Sequence, residues 1–421
     1  MMRRLILALS LLALAGASPA AAHGRETTGA CLGPGAGGPI CHFWTAKVVS
    51  INDGDTIGVD IDGDGSRRVY QVRFIGLQAM ELHRYDPRRW AGECHSVEAA
   101  KRVRRLIGAS HWRVRLSAED PSTRFTYRLG RFIGVKVHGH WQDLGAREMA
   151  EGLTLLMSDV RETAWNDRYN RLGQEAARKH IGMWNPTTCG SGPSQHVPMR
   201  LWVNWDPPGI DKLDPNGEWI KVQNLSGTTP VPLGHWWLRD SMLRRFTFPT
   251  GTVLQPGATI TLHVGHGQRS ADTFYWGLDN QIFQNIGDGA YLFDPQGDLR
   301  QSMVYPCLVA CTDPNLGAVQ LTSETKRPQF VRLRNVSNHA VDLYGYLLRK
   351  EGRPYIFGPS SLLQPGQVMQ LDVEGDPAQD TQLERHWGMD HPILRARGDV
   401  VRLLTFTNVT VACDAWGDAS C

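Results

Sequence analysis

Two stretches in the second half of the chain repeat one another closely enough to restrict what that half can fold into. "EWIKVQNLSGTTPVPLGHWWLRD" followed by "FTFPTGTVLQPG" parallels "QFVRLRNVSNHAVDLYGYLLRK" followed by "YIFGPSSLLQPG". Each copy runs through a strand, a turn at Asn, a Leu-x-Gly step, a second strand and Leu-Gln-Pro-Gly in the same order, which is the mark of one supersecondary unit used twice. From about Met199 to the C-terminus, short alternating apolar runs recur between turn formers and no segment carries helical periodicity. That pattern predicts two β-sandwiches.

The preceding half is built differently. With 421 residues the chain exceeds one ordinary core, so two or three domains are expected. "FWTAKVVSINDGDTIGVDI" is rich in β-branched residues and broken at Asn-Asp-Gly, the signature of two strands around a tight turn. "SRRVYQVRFIGL", "HWRVRLSAED" and "LGRFIGVKVHGHWQDL" continue the alternation. "SVEAAKRVRRLIG", closed by Gly108, reads as a helix, and "GAREMAEGLTLL" and "WNDRYNRLGQEAARKHIGMW" supply two more, the last stopped near Asn185-Pro186. These elements predict a small β-barrel with helices packed around it. "TTCGSGPSQHVP" then serves as a linker. The expected boundaries are a barrel domain at 42–186, a linker at 187–198, and sandwiches at 199–307 and 320–421.

Ahead of the barrel, Arg3 and Arg4 precede an apolar run from Leu5 to Ala17, and small residues end at Ala20-Ala21-Ala22. This is the layout of a signal peptide at 1–22, followed by a Gly/Pro-rich lead-in at 23–41. The run is shorter than the ~20 apolar residues of a membrane span, so the mature chain is expected outside the membrane, extracellular or in the cell envelope. Eight cysteines, an even set in an exported chain, favour disulfides, with about 105 pairings open. Cys307 and Cys311 lack a second pair at zinc-ligand spacing. A net charge of +3 gives no global basic field, so any nucleic-acid argument must rest on a local site.

Such a site is concentrated in the barrel. "DGDT" places Asp55 and Thr56 at a strand turn, "VRFIGLQAME" sets Arg73 and Glu81 eight residues apart, and "TYRLGRFIGV" places Arg131 in a later strand, with "IGMW" ending the last helix. In this order the motifs resemble those of the staphylococcal-nuclease (thermonuclease) family, which read approximately DGDT, VRLxGIDxPE, DxYGRxLAYV and Gly-x-Trp. The resemblance covers about a third of the chain and implies an OB-fold-type barrel that hydrolyses DNA or RNA to 3′-phosphates. It further implies that Arg73 and Arg131 clamp the scissile phosphate, that Glu81 serves as general base for the attacking water, and that Asp55 and the Thr56 carbonyl hold calcium. Guanidinium forks suit phosphate oxygens, and a carboxylate within reach of a water can take its proton.

Two positions depart from the family pattern. Gln78 stands where a second aspartate ligand is usual, and Met80 replaces the proline before the glutamate. A Gln carbonyl can still meet calcium but brings no charge, so weaker binding is expected. Loss of the proline frees the loop that aims Glu81. Nearby, "DIDGDG" spaces Asp60, Asp62 and Asp64 like the opening of a calcium loop, although its twelfth position is Gln71, so an acidic hairpin tip is the plainer reading. Arg88, Arg89, Arg102, Arg104, Arg105, Arg113 and Arg115, with Trp90 and Trp112 among them, could track a single strand. His138 to His140 is expected in a hairpin turn.

The repeated units resemble lamin-tail domains, immunoglobulin-like sandwiches. The first carries Glu218-Trp219, Leu233-Gly234, Trp237, Arg239-Asp240, Phe248-Pro249, Pro256-Gly257, Trp276-Gly277 and Asn285 to Asp288. The second keeps Leu343-x-Gly345, Pro365-Gly366, Trp387-Gly388 and Gly398-Asp399. This resemblance implies a module for tethering or binding. The expected function is therefore a secreted, calcium-dependent nuclease whose tails tether it to substrate or a cell surface. The alternative is a weakened nuclease fold that binds nucleic acid or a surface.

Overall fold

The computed structural model describes residues 26–33, 38–82, 92–189, 194, 196–207, 210–350, 353–358 and 360–421. The expected signal peptide, and Arg88, Arg89 and Trp90 of the basic cluster, lie outside these residues.

Strands β1 (Thr27–Ala30), β2 (Ile40–Ile51), β3 (Thr56–Ile61) and β4 (Val69–Phe74) open the first domain. They are followed by β5 (Gly76–Ala79), helix α1 (Ser96–Ala109), β6 (Arg113–Ala118), β7 (Arg124–Phe125) and β8 (Arg128–Val137). Then come β9 (His140–Asp143), α2 (Leu144–Ala150), β10 (Thr154–Met157) and α3 (Asn166–Arg178). The sheet runs β2-β3-β4-β8-β6 and closes where β6 pairs back onto β2, a five-stranded barrel. Alternate residues Ala46, Val48, Ile57, Val59, Val72, Phe74, Val114, Leu116, Ile133 and Val135 fill the interior, as the period of a strand requires. Most contacts here are local antiparallel pairs; β4 and β8 run parallel, so the strand carrying Arg73 lies against one whose hairpin lies far along the chain.

Two details differ from the sequence reading. Gly108 sits inside the last turn of α1, which ends at Ala109. Thr154 to Leu156, expected to extend a helix, form β10 (Thr154–Met157) and pair with β5, a run buried on both faces. His138 and Gly139 form the two-residue turn between β8 and β9, both with positive φ.

The second half is two sandwiches of one topology. In the first, Met199–Asn204, Trp219–Asn224, Thr259–His263 and Thr273–Tyr275 form one sheet, and Arg245–Thr247, Trp237–Arg239, Asp288–Phe293 and Leu299–Tyr305 the other. In the second, Val319–Glu324, Phe330–Asn335, Val368–Glu374 and Glu384–Met389 face Arg353–Ile356, Leu347–Lys350, Asp399–Leu404 and Thr410–Trp416 in the same order. The repeated asparagine has one job in both. Asn224 donates to the carbonyls of Thr229 and Leu254, and Asn335 to those of His339 and Leu363, pinning the same turn to the same neighbouring loop.

The eight cysteines pair as Cys31–Cys41, Cys94–Cys189, Cys307–Cys311 and Cys413–Cys421. Cys94–Cys189 closes by far the longest loop and ties the segment before α1 to the end of the barrel domain.

The barrel and the first sandwich share an apolar interface. Met80, Leu155 and Met183 pack against Trp237, Tyr291 and Phe293. At its edge, Asn170 and Gln174 of α3 donate to the Pro306 carbonyl, and the Gln174 carbonyl oxygen accepts from the amides of Leu308 and Val309.

Candidate functional site

The β2–β3 turn, the β4–β5 bend and the β7–β8 hairpin converge on a cavity of about 480 Å³. Its lining includes Asp53, Asp55, Arg73, Gln78, Glu81, Arg124 and Arg128, with Met242 and Leu243 contributed by the first sandwich.

Asp55 is placed by an Asx turn in which its own amide donates to Asp53 Oδ1 at 2.9 Å. Gly54 is required there, since a Cβ would lie 2.7 Å from both Ala79 and Ala99 side chains. Arg73 is buried and forms an ion pair with Asp55 Oδ1 while donating to Gln78 Oε1. Burial, helped by the neighbouring Arg128, pulls the Arg73 guanidinium down to about 10, so it stays charged at neutral pH. Burial pushes the Glu81 carboxyl up from its ordinary value, and Glu93 beside it adds to the rise.

Arg131 is elsewhere. Its guanidinium lies over the Trp44 ring at 4.7 Å and donates to the carbonyls of Pro121, Thr123 and Gly130. The register explains this: β4 and β8 pair Arg73 with Gly130 and Phe74 with Arg131, so Arg131 shares a face with Phe74 and not with Arg73. The residue two before Gly130 is Arg128. It reaches the site, donating to Thr56 Oγ1 at 3.3 Å, and makes no ion pair among the described residues. Period two puts Arg128 on the face of Gly130, and it is the β4–β8 register that brings that face beside Arg73.

The calcium site implied by the resemblance does not fit the donors present. Thr56 turns its carbonyl into the hairpin, where it accepts from the Asn52 amide at 3.0 Å. Asp55 Oδ2 accepts from the Ala79 amide at 2.7 Å and from Gln78 Nε2 at 3.3 Å. The same Gln78 nitrogen donates to Glu81 Oε1 at 2.8 Å and the Ala79 carbonyl at 2.9 Å. Turning the amide over would set its NH2 against the Arg73 guanidinium, donor to donor. Between Asp55 and Glu81 the chain therefore presents an amide nitrogen, whereas calcium asks for six to eight oxygens at roughly 2.3–2.6 Å.

The other candidates resolve into ordinary contacts. Asp62 pairs with Arg113 of β6, and Asp64 accepts from the Ser66 amide and hydroxyl, so two of the three carboxylates of the acidic hairpin are already engaged. Arg102 pairs with Glu151, and Arg115 lies over Phe43 and Trp141, which splits the basic cluster between faces. Cys94, His95 and Cys189 come together, but both thiols are spent in their disulfide.

The first sandwich is decided by its topology and by sequence. Residues 206–307 match the family model of the Lamin Tail Domain. The match covers the first sandwich from its second strand onward, leaves out Met199–Asn204 and stops short of the barrel. No curated protein matches the chain. The second sandwich repeats the topology of the first without falling within the matched residues.

Proposed function

We propose that the barrel binds and hydrolyses phosphodiesters of flexible, single-stranded nucleic acid, and that the lamin-tail sandwiches hold it to its substrate or to the cell envelope. The observation that carries this reading is that Arg73, Arg128 and Glu81 line one cavity. Arg128, which makes no ion pair among the described residues, is the cation to which a phosphate oxygen comes; Arg73 backs it as a second fork. Glu81, with its proton affinity raised by burial, takes a proton from a water that adds to phosphorus. The P–O bond to the leaving sugar oxygen breaks, and that oxygen takes a proton from solvent. The chain's own groups hold the phosphate and take the proton from the attacking water, with the Gln78 amide filling the space between the carboxylates. Four disulfides support an oxidising, extracytoplasmic location.

A second reading, a barrel that binds without cutting, draws on one observation: Gln78 already donates to Glu81 Oε1 and occupies an oxygen the base would use. One assay separates the two. Cleavage and binding of denatured DNA and of RNA are measured for the full chain, with added calcium and with chelator, beside Arg73→Ala and Glu81→Gln. The proposal expects cleavage that survives chelation and falls by ~10²-fold or more in both variants. Binding with no cleavage in any condition selects the second reading, and cleavage only with calcium restores the metal dependence that the resemblance implies.

A further inference from the structure

The loop that carries Glu81 lacks the proline expected before it, and the structure shows what holds it. Glu81 is tied front and back to Glu93. Its amide donates to Glu93 Oε2 at 2.9 Å, and its carbonyl accepts from the Glu93 amide at 2.9 Å. Glu93 is in turn gripped from the other domain: Arg239 Nη1 donates to Glu93 Oε1 at 2.8 Å and Oε2 at 2.9 Å, with both side chains almost wholly buried. Arg239 is fixed on its strand, lying over the Phe293 ring at 5.6 Å and donating to the Asp240 carbonyl. Met80, standing where the proline is missing, is itself buried in the interface against the Trp237 and Phe293 side of the sandwich. Met242 and Leu243, a few residues past Arg239, wall the cavity that Glu81 faces.

We propose that the first lamin-tail sandwich is a working part of the hydrolytic site, with Arg239 acting through Glu93 as a positioning residue that aims Glu81. A proline stiffens a loop from within; here the same loop is clamped from outside by a buried ion pair and by Met80 as a plug. The barrel therefore depends on its neighbour for the geometry of its base, and the tail does more than tether.

This inference rests on the phosphodiesterase reading for its consequence but not for its geometry, so the test has two arms. Amide hydrogen exchange across residues 78–82 and 92–95, and kcat and KM for single-stranded DNA, are measured on the full chain for the wild type, Arg239→Met, Arg239→Lys and Glu93→Gln. The account expects exchange at the Glu81 amide to rise tenfold or more in Arg239→Met while the amides of β2 and β3 keep their protection. It expects kcat to fall tenfold or more with KM within about twofold, and Arg239→Lys, which restores the charge without the fork, to recover part of both. Glu93→Gln keeps an acceptor oxygen for the Glu81 amide and serves if Arg239→Met fails to fold; its kcat is expected to fall in the same manner. If folded Arg239→Met and Glu93→Gln both keep wild-type exchange at Glu81, the clamp is overturned whatever the cleavage assay shows. If the amide loosens in a chain that never cuts, the clamp stands and the phosphodiesterase reading falls.

Discussion

The two sandwiches place an arginine at the same point of the same strand and use it for the same purpose in different surroundings. Arg239 faces Tyr291 across its sheet, three residues after Asp288, and Arg349 faces Arg402, three residues after Asp399. Each reaches back to the domain before it. Arg239 closes on Glu93 of the barrel with almost no exposure, whereas Arg349 meets Asp206 of the first sandwich at 3.2 Å with roughly a fifth of each side chain exposed. Both copies thus contact the domain before them through this arginine, sealed from water at Arg239 and open to it at Arg349.

A second pair of positions shows the same divergence inside the sandwiches. Glu218 and Gln329 are equivalent: the carboxylate accepts from the amides of Ile282 and Phe283, and the Gln329 carbonyl oxygen from those of Ile393 and Leu394. Gln329 also donates its NH2 to the Thr325 and Leu394 carbonyls, while the second oxygen of Glu218 is buried with no hydrogen-bond partner among the described residues. Burial pushes Glu218 up to about 8, so the first copy carries an acid where the second carries its neutral isostere. Next to it, Asp288 lies against Asp240 and is pushed up by burial and by that like charge, whereas Asp399 pairs with Lys350 at 3.0 Å.

The comparison can be broken at three strengths. Arg239→Met should have the largest effect, about 3–5 kcal/mol of lost stability, because Glu93 is left as a buried charge without its partner; denaturant unfolding of the full chain reads it. A loss below about 1 kcal/mol would mean that Glu93 finds water or another partner. Glu218→Gln should come next and should stabilise. A carboxyl whose folded value exceeds its unfolded value of 4.5 contributes fully below that pH and loses its contribution as pH rises through 8, so wild type should weaken between those limits. Glu218→Gln should remove that slope and gain up to about 4 kcal/mol at pH 8, with little change at pH 4. Equal slopes in both proteins would show that Glu218 ionises without cost. Arg349→Met should be the mildest, within about 1 kcal/mol, as for other partly exposed pairs, and a loss matching that of Arg239→Met would erase the distinction between the two interfaces.

Much of this architecture was legible in the sequence because it is local or periodic. The tandem copies announced themselves through Asn224 and Asn335 and through the Leu-Gln-Pro-Gly turns, whose order along the chain repeats. The barrel strands followed from alternation. Arg131 was misplaced because motif spacing was followed where strand parity decides: Arg128 and Arg131, three apart, must face opposite sides of β8. The reach of Arg239 to Glu93, 146 residues away, has no local signature at all. Gln78 was read as a poor calcium ligand, and its two-sided amide became visible only when Arg73, Asp55 and Glu81 were brought around it.

The proposed working face of the barrel is the one shared by Arg73, Arg128 and Glu81. The most direct test compares cleavage of denatured DNA by Arg128→Ala and Arg131→Ala, each normalised to folded protein. The account predicts that Arg128→Ala lowers kcat/KM by ~10²-fold while Arg131→Ala stays within about threefold of the wild type. The opposite ranking would contradict it and return the phosphate to the Trp44 side of the barrel.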